Sequence, residues 1–222
     1  MARDKGLLEF NGVPLLVHTA RLIEPLVAGV TIVGSPERCA RLGLSAIPDQ
    51  AVAEKSVAEK KPRNLSGGPM NGIAAALAET RSPWNLILAC DLPYLTAAWI
   101  EWLLSRAVGS RAQVVIPRTE HGLEPLAALY RRECGSPIAA ALARGVRKLT
   151  DAIVELELDV VDSREWRRLD PGGFVLMNMN TPADYEEARR WWARERMGEE
   201  IHVRKPRRSR QPKRKSAPRP SR

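Results

Sequence analysis

The chain has 222 residues and a 44% hydrophobic content, which suits one domain with a sizeable core better than two small ones. No apolar stretch reaches bilayer-spanning length and no signal-peptide pattern opens the chain, which excludes a membrane span and argues for a cytoplasmic protein. The net charge of +9 is a property of one end: residues 201–222 carry ten Lys or Arg and no acid, so +9 less ten leaves −1 for residues 1–200. The three cysteines, Cys39, Cys90 and Cys134, are odd in number and widely spaced. They read as reduced thiols rather than as disulfides or a zinc site.

In chain order, Lys5–Phe10 leads to an Asn11-Gly12 turn, and Pro14 suits the first turn of a helix. Leu15, Leu16, His18, Leu22, Ile23 and Leu26 continue its apolar stripe. Val30–Val33 reads as a short strand ending at Gly34, Glu37–Leu42 as a helix, and Ser45–Pro48 as a strand ending at Asp49. Residues 50–66 are polar, contain the near-repeat AVAEK-SVAEK, and read as a mobile surface insertion. Gly67–Gly72 then precedes an alanine-rich helix over Ile73–Thr80. Leu86–Cys90 is a continuous apolar run, expected to be a strand buried on both faces, and Pro93 stops it near Asp91. A helix near Ala97–Ala107 and a strand at Gln113–Pro117 follow. Leu123–Tyr130 reads as a strand returning along the sheet. Pro137–Arg144 and Val146–Leu156 read as helices, and Asp159–Val161 and Phe174–Met177 as short strands. Thr181-Pro182-Ala183-Asp184 has the form of an N-cap with proline at the first helical position, opening a closing helix over Tyr185–Arg196. Alternating strands and helices mean an α/β fold with a doubly wound, mostly parallel, Rossmann-like sheet. The expected organisation is one domain over 1–198 and a disordered basic tail over 199–222. That tail either attracts nucleic acid nonspecifically or is a dispensable extension.

Doubly wound sheets bind ligands at the carboxyl ends of their strands. Asp91 sits at such an end, where it either holds a divalent cation on a phosphate-bearing substrate or caps the following turn. Lys5 is either a phosphate partner or a surface lysine. Gly68–Gly72 is a glycine-rich turn that lets backbone N–H groups approach a ligand at a helix N-terminus. Asn178 and Asn180 flank a strand end, and Arg147 with Lys148 reads as a solvated helix face. His18, His121 and His202 lack metal-ligand spacing, and no serine elbow or Cys/His pattern is present. Acids plus a lysine without a nucleophile fit phosphoryl or nucleotidyl transfer.

These residues resemble a known family. Met1–Lys5 followed by Leu7–Leu15 is similar to the first block of molybdenum cofactor guanylyltransferases. Gly68-Pro69-Met70-Asn71-Gly72, Cys90–Tyr94, Glu124–Leu129 and Asn178–Asp184 match later blocks in order, covering about residues 1–195. The resemblance implies a fold of the nucleotide-diphospho-sugar transferase type and transfer of GMP from GTP to molybdopterin, with release of pyrophosphate. It implies that Asp91 binds Mg²⁺ and that Lys5 binds the GTP phosphates. Gly34, Asp49 and the turn with Gly68, Pro69 and Gly72 would line the guanine and ribose side. Asn178 and Asn180, with Arg147 and Lys148, would face molybdopterin. A monomer that meets molybdenum-insertion proteins and apo-molybdoenzymes is the implied setting. The family's first strand and glycine-rich phosphate loop have no counterpart here, and Met1 aligns with that loop's last methionine. The expectation is therefore an internal start, with the natural protein longer. A sugar-1-phosphate nucleotidyltransferase and an inactive, truncated binding module are the alternatives.

Overall fold

A computed structural model describes residues 5–48 and 68–195. Asp49, the 50–66 insertion and the basic tail lie outside the described residues. The chain begins with a 3-10 turn at Lys5–Leu7 and a hairpin, β1 (Glu9–Phe10) with β2 (Val13–Pro14). Asn11 and Gly12 form its turn at φ 53° and 78°, left-handed backbone that these two residue types tolerate best. Pro14 is the N-cap residue of α1 (Leu15–Ile23), one position earlier than the sequence suggested. Then follow β3 (Ile32–Val33), α2 (Pro36–Ala40), β4 (Ala46–Ile47), α3 (Pro69–Glu79) and β5 (Trp84–Leu88). The next elements are α4 (Ala97–Gly109), β6 (Val114–Thr119), β7 (Gly122–Leu123) and β8 (Ala127–Arg131). The last are α5 (Gly135–Ala143), α6 (Leu149–Ala152), β9 (Leu158–Val161), α7 (Ser163–Trp166) and α8 (Pro182–Glu195).

The fold is mixed α/β. Strands β5, β6 and β9 share one direction, and the returning strand β8 inserts between β5 and β6 in the opposite sense. The short β7 closes a tight hairpin on β6. β3 and β4 pair in parallel as a separate two-stranded sheet. Val114–Pro117 and Ala127–Tyr130 are fully buried, as continuous apolar runs in central strands should be. One layer of core joins α3, α5 and α6 to these strands through Ile73, Leu77, Ile138 and Ile153. The other joins α4 through Trp99, Ile100 and Leu103. Thr96 Oγ1 caps α4 by accepting from the Trp99 amide.

Several expectations are corrected. β5 is half-buried along its whole length rather than buried on both faces. Among the described residues it pairs only with β8, and its other edge lines an apolar cavity of about 250 Å³ that it shares with β3, α1 and α3. Leu16, Ile23, Val33, Ile73, Leu86 and Leu88 are among the walls of this gap. Among the described residues no strand bridges β3 and β5. Phe174–Met177 is not a strand but a turn, in which the Met177 amide donates to the Phe174 carbonyl and the Val175 amide to Asp170 Oδ2. The helix expected over Val146–Leu156 shrinks to the single turn of α6, because Gly145 at φ 85° ends the preceding helix and the chain re-enters helix only at Leu149. Gly68–Gly72 is not a free glycine turn: Gly68 is the N-cap of α3, and Pro69–Gly72 already form its first turn. Proline at the first helical position needs no amide partner, so the helix starts four residues earlier than its alanine run indicates.

Candidate active site

Three distant segments meet at one lysine. Lys5 Nζ donates to Asp91 Oδ2 at 2.8 Å and to Asn180 Oδ1 at 2.6 Å. The Asp91 side chain retains 19% of its exposure and that of Lys5 27%, so the pair is sheltered but open to a ligand. Asp91 lies three residues beyond the carboxyl end of β5, as the Pro93 stop requires. Its carbonyl accepts from the Met179 amide at 2.9 Å, which ties the 91 turn to the 178–180 segment.

Asn180 is held by the start of α8. Thr181 Oγ1 accepts from the Asp184 amide, and Asp184 Oδ2 accepts from the amides of both Asn180 and Thr181. This reciprocal cap satisfies helix-terminal donors and fixes the loop that carries Asn180. Beneath it, α8 grips the N-terminal segment. Tyr185 Oη donates to the Glu9 carbonyl and Trp192 Nε1 to the Pro93 carbonyl, both at 2.8 Å. Phe10 packs edge-on against Tyr185, with centroids 5.5 Å apart, and Trp191 packs edge-on against Tyr94. Leu8, Phe10, Leu15, Tyr94, Met179 and Ala188 form the core under the site. Burial, more than the charges of Glu187 and Asp184, pushes the Tyr94 hydroxyl well above its ordinary value. Tyr94 is therefore a neutral packing residue.

A cavity of about 660 Å³ opens beside this cluster, sharing Asn180 as a wall. Asn178, His121, Glu124, Phe174 and Arg167 also line it. Glu124 is half-buried, and desolvation pushes its carboxyl above the usual range, partly offset by a hydrogen bond from Thr119. In the sequence Glu124 stands out only as part of the Glu124–Leu129 block, and Thr119 and Phe174 do not stand out at all. The signal for Thr119 and Glu124 is the tight Thr119–Gly122 hairpin, whose short turn brings Thr119 over Glu124.

The sequence-derived site is thus divided. Lys5, Asp91 and Asn180 converge, and Asn178 shares the adjoining cavity. Pro69 and Gly72 line the β3–β5 gap instead, at the opening of α3. The Gly34 amide is engaged with the Ile47 carbonyl and extends the parallel β3–β4 ladder. Arg147 and Lys148 are exposed, and Lys148 lies 4.0 Å from Asp151; neither lines the cavity. Asp49 lies outside the described residues.

Among the described residues there is no cluster of three His, Cys, Asp or Glu able to cage a metal. A single carboxylate at a strand end does fit Mg²⁺, which keeps most of its waters and takes one or two carboxylates plus substrate phosphates. Asp91 already faces a cation, the Lys5 ammonium, so its oxygens are oriented toward positive charge. Cys39, Cys90 and Cys134 form no disulfide with one another. No helix among the described residues is long and apolar enough to cross a membrane.

Comparison with known proteins identifies the family. Residues 1–158 match the MobA-like NTP transferase domain. A probable molybdenum cofactor guanylyltransferase of Synechococcus elongatus is 34% identical over 193 residues, covering 84% of this chain and 90% of its own. The molybdenum cofactor guanylyltransferase of Pseudomonas aeruginosa is 33% identical over 182 residues, covering 81% and 83%. The crystal structure of molybdopterin-guanine dinucleotide biosynthesis protein A from Archaeoglobus fulgidus superposes with a TM-score of 0.70 at 22% identity, over 87% of this chain and 92% of its own, and shares the fold. A chain whose strand-end carboxylate, lysine and asparagine meet in this way, and whose sequence matches over most of its length, belongs to the MobA-like NTP transferase family.

Proposed function

We propose that the protein is a molybdenum cofactor guanylyltransferase, which transfers GMP from GTP to molybdopterin. The observation that carries this reading is the convergence of Lys5, Asp91 and Asn180 beside a cavity large enough for a second substrate. A phosphate oxygen of the acceptor attacks the α-phosphorus of GTP. The bond from that phosphorus to the bridging oxygen breaks, and pyrophosphate leaves. No protein nucleophile is needed, so catalysis rests on positioning and charge neutralisation. Lys5 offsets the charge gathering on the phosphates, and its bond to Asn180 keeps it aimed across the site. Asp91 would hold Mg²⁺, which when bound polarises the phosphoryl oxygens. The first turn of α3, with Gly68, Pro69 and Gly72, supports the nucleotide side through the positive end of a helix N-terminus. Asn178 and Asn180 face the acceptor. The work is cytoplasmic, where thiols such as exposed Cys90 stay reduced.

The test is GMP transfer by the purified full chain from labelled GTP to molybdopterin in the presence of Mg²⁺. Label moving into the dinucleotide, and lost in Asp91→Asn, supports the reading. Label moving instead to a sugar 1-phosphate, or to neither acceptor, overturns it.

A further inference from the structure

The 660 Å³ cavity holds a carboxylate that the phosphate chemistry does not use. Glu124 begins the segment that follows the β6–β7 hairpin, and its amide donates to the Pro117 carbonyl, which fixes the backbone. Its side chain is equally constrained. The Thr119 hydroxyl donates to Glu124 Oε1 at 2.8 Å, while the same hydroxyl accepts from the His121 amide. Among the described residues Glu124 Oε2 accepts no hydrogen bond. One oxygen of this half-buried carboxylate is oriented by Thr119, and the other stays open at the cavity wall to a donor-bearing ligand. Across the same cavity stands Phe174. One edge of its ring abuts the Gly172 backbone, where an added Cβ would fall 2.2 Å from a ring carbon, and its centroid lies 5.9 Å from that of Tyr94. The cavity therefore pairs an aromatic ring with an oriented acceptor, the combination that reads a planar heterocycle by stacking and by its edge.

We propose that Glu124 is the specificity-determining residue for the acceptor, its carboxylate receiving the ring N–H and adjacent 2-amino group of a pterin while Phe174 packs on the pterin face. This deepens the function proposed above and rests on it. A carboxylate accepts from two parallel N–H donors at once, as it does from a guanidinium, and discriminates strongly against a ring lacking either donor. Guanine carries the same donor edge, but its phosphates are bound from Lys5 and Asp91, and the cavity lies on the Asn180 side of that pair.

The experiment uses the full chain and two fluorescent probes, pterin and its 2,4-dioxo analogue lumazine, in which the amino group is replaced by a carbonyl. Wild-type protein is expected to bind pterin about ten- to a hundredfold more tightly than lumazine. Glu124→Gln is expected to lose that preference. It should raise KM for molybdopterin by about the same factor, with KM for GTP and kcat little changed. Thr119→Val, which removes only the orienting hydroxyl, should show the same pattern to a smaller degree. Equal binding of the two probes by wild type, a preference surviving in Glu124→Gln, or an effect on KM for GTP in place of molybdopterin each overturns the proposal. GMP transfer intact without any pterin preference sinks this inference alone. Absence of GMP transfer to molybdopterin by wild type, whatever the probes show, sinks the function on which it rests.

Discussion

Lys5 and Asp91 are 86 residues apart in sequence and 2.8 Å apart in space, and the bond between them joins the entry of the chain to the end of strand β5. Apart from the bond of Lys5 to Asn180, both side chains lie above the core: each is only partly buried, and the core beneath them is formed by Phe10, Tyr94 and Met179. Replacing Lys5 by Ala should therefore leave the fold intact and reduce kcat for nucleotidyl transfer by about 10²–10³, the usual cost of one preorganised charge partner. Asp91→Asn should cost at least as much. The double variant should be far less impaired than the product of the two, because the residues act on the same phosphates. Steady-state kinetics on the three variants decides this. Independent, multiplicative losses would mean that the observed bond is incidental.

Asp184 has a different task. Its carboxylate accepts two amides, those of Asn180 and Thr181, and so converts the start of α8 into a fixed platform for Asn180. Asp184→Ala should destabilise the protein by about 1–2 kcal/mol, as loss of a cap does, and lower Tm by about 3–6 °C. It should also raise KM for the acceptor, because Asn180 loses its backbone support. Asp184→Asn, which keeps one acceptor oxygen, should recover part of both. Thermal melts and acceptor KM together separate this from a purely structural effect, which would move Tm alone.

The parts of the site legible in the sequence were those whose local chemistry is self-contained. Asp91 was readable because an apolar run stops at a proline two residues later, and the Thr181-Pro182 start of α8 because capping chemistry is short-range. The unread parts depend on contacts made by residues distant in the chain. Phe174–Met177 has strand-like composition, yet Asp170 captures the Val175 amide, and a backbone committed to that bond cannot join a ladder. The first turn of α3 was read as a loop because two glycines outweighed the proline between them. β5 was expected to be fully buried from composition alone, but burial depends on what lies at its second edge, which is a cavity. Glu124 went unread because one isolated glutamate looks like surface. Only the hairpin that places Thr119 above it makes it a fixed acceptor.

The charge pair behind β6 predicts a pH dependence. Arg106 donates from Nε and Nη2 to the two oxygens of Asp159, at 3.0 and 2.9 Å, and from Nη1 to Glu165. The hydrogen bond from Arg106 holds the Asp159 carboxyl below its ordinary value of 3.8 against a smaller opposing effect of burial. The folded chain thus binds this proton less tightly than the unfolded chain. The stabilisation is complete above the ordinary value and lost as pH falls through the lowered one. With the guanidinium 38% exposed, solvent screening limits the pair to about 1 kcal/mol. Asp159→Asn should lower Tm by about 3 °C at neutral pH and flatten the decline in stability below pH 4. Denaturant titrations at pH 7 and pH 3 check this. An unchanged acid slope in the variant would assign the decline to other carboxyls.

Gly172 offers a way to alter the cavity without touching its polar groups. A methyl group there would fall 2.2 and 2.4 Å from two ring carbons of Phe174, so the ring must move. It is half-buried and lines the cavity, so the cavity is the open space toward which it would shift. Because the displaced atoms belong to a stiff ring, Gly172→Ala should cost about 1–3 kcal/mol of stability. The ring would then occupy space meant for the acceptor, and KM for molybdopterin should rise about tenfold while KM for GTP stays unchanged. Phe174→Leu in the same background removes the obstructing ring edge and should restore room but not stacking, giving a partial recovery. A Gly172→Ala protein with unaltered acceptor kinetics would show that the acceptor does not pass within reach of Phe174.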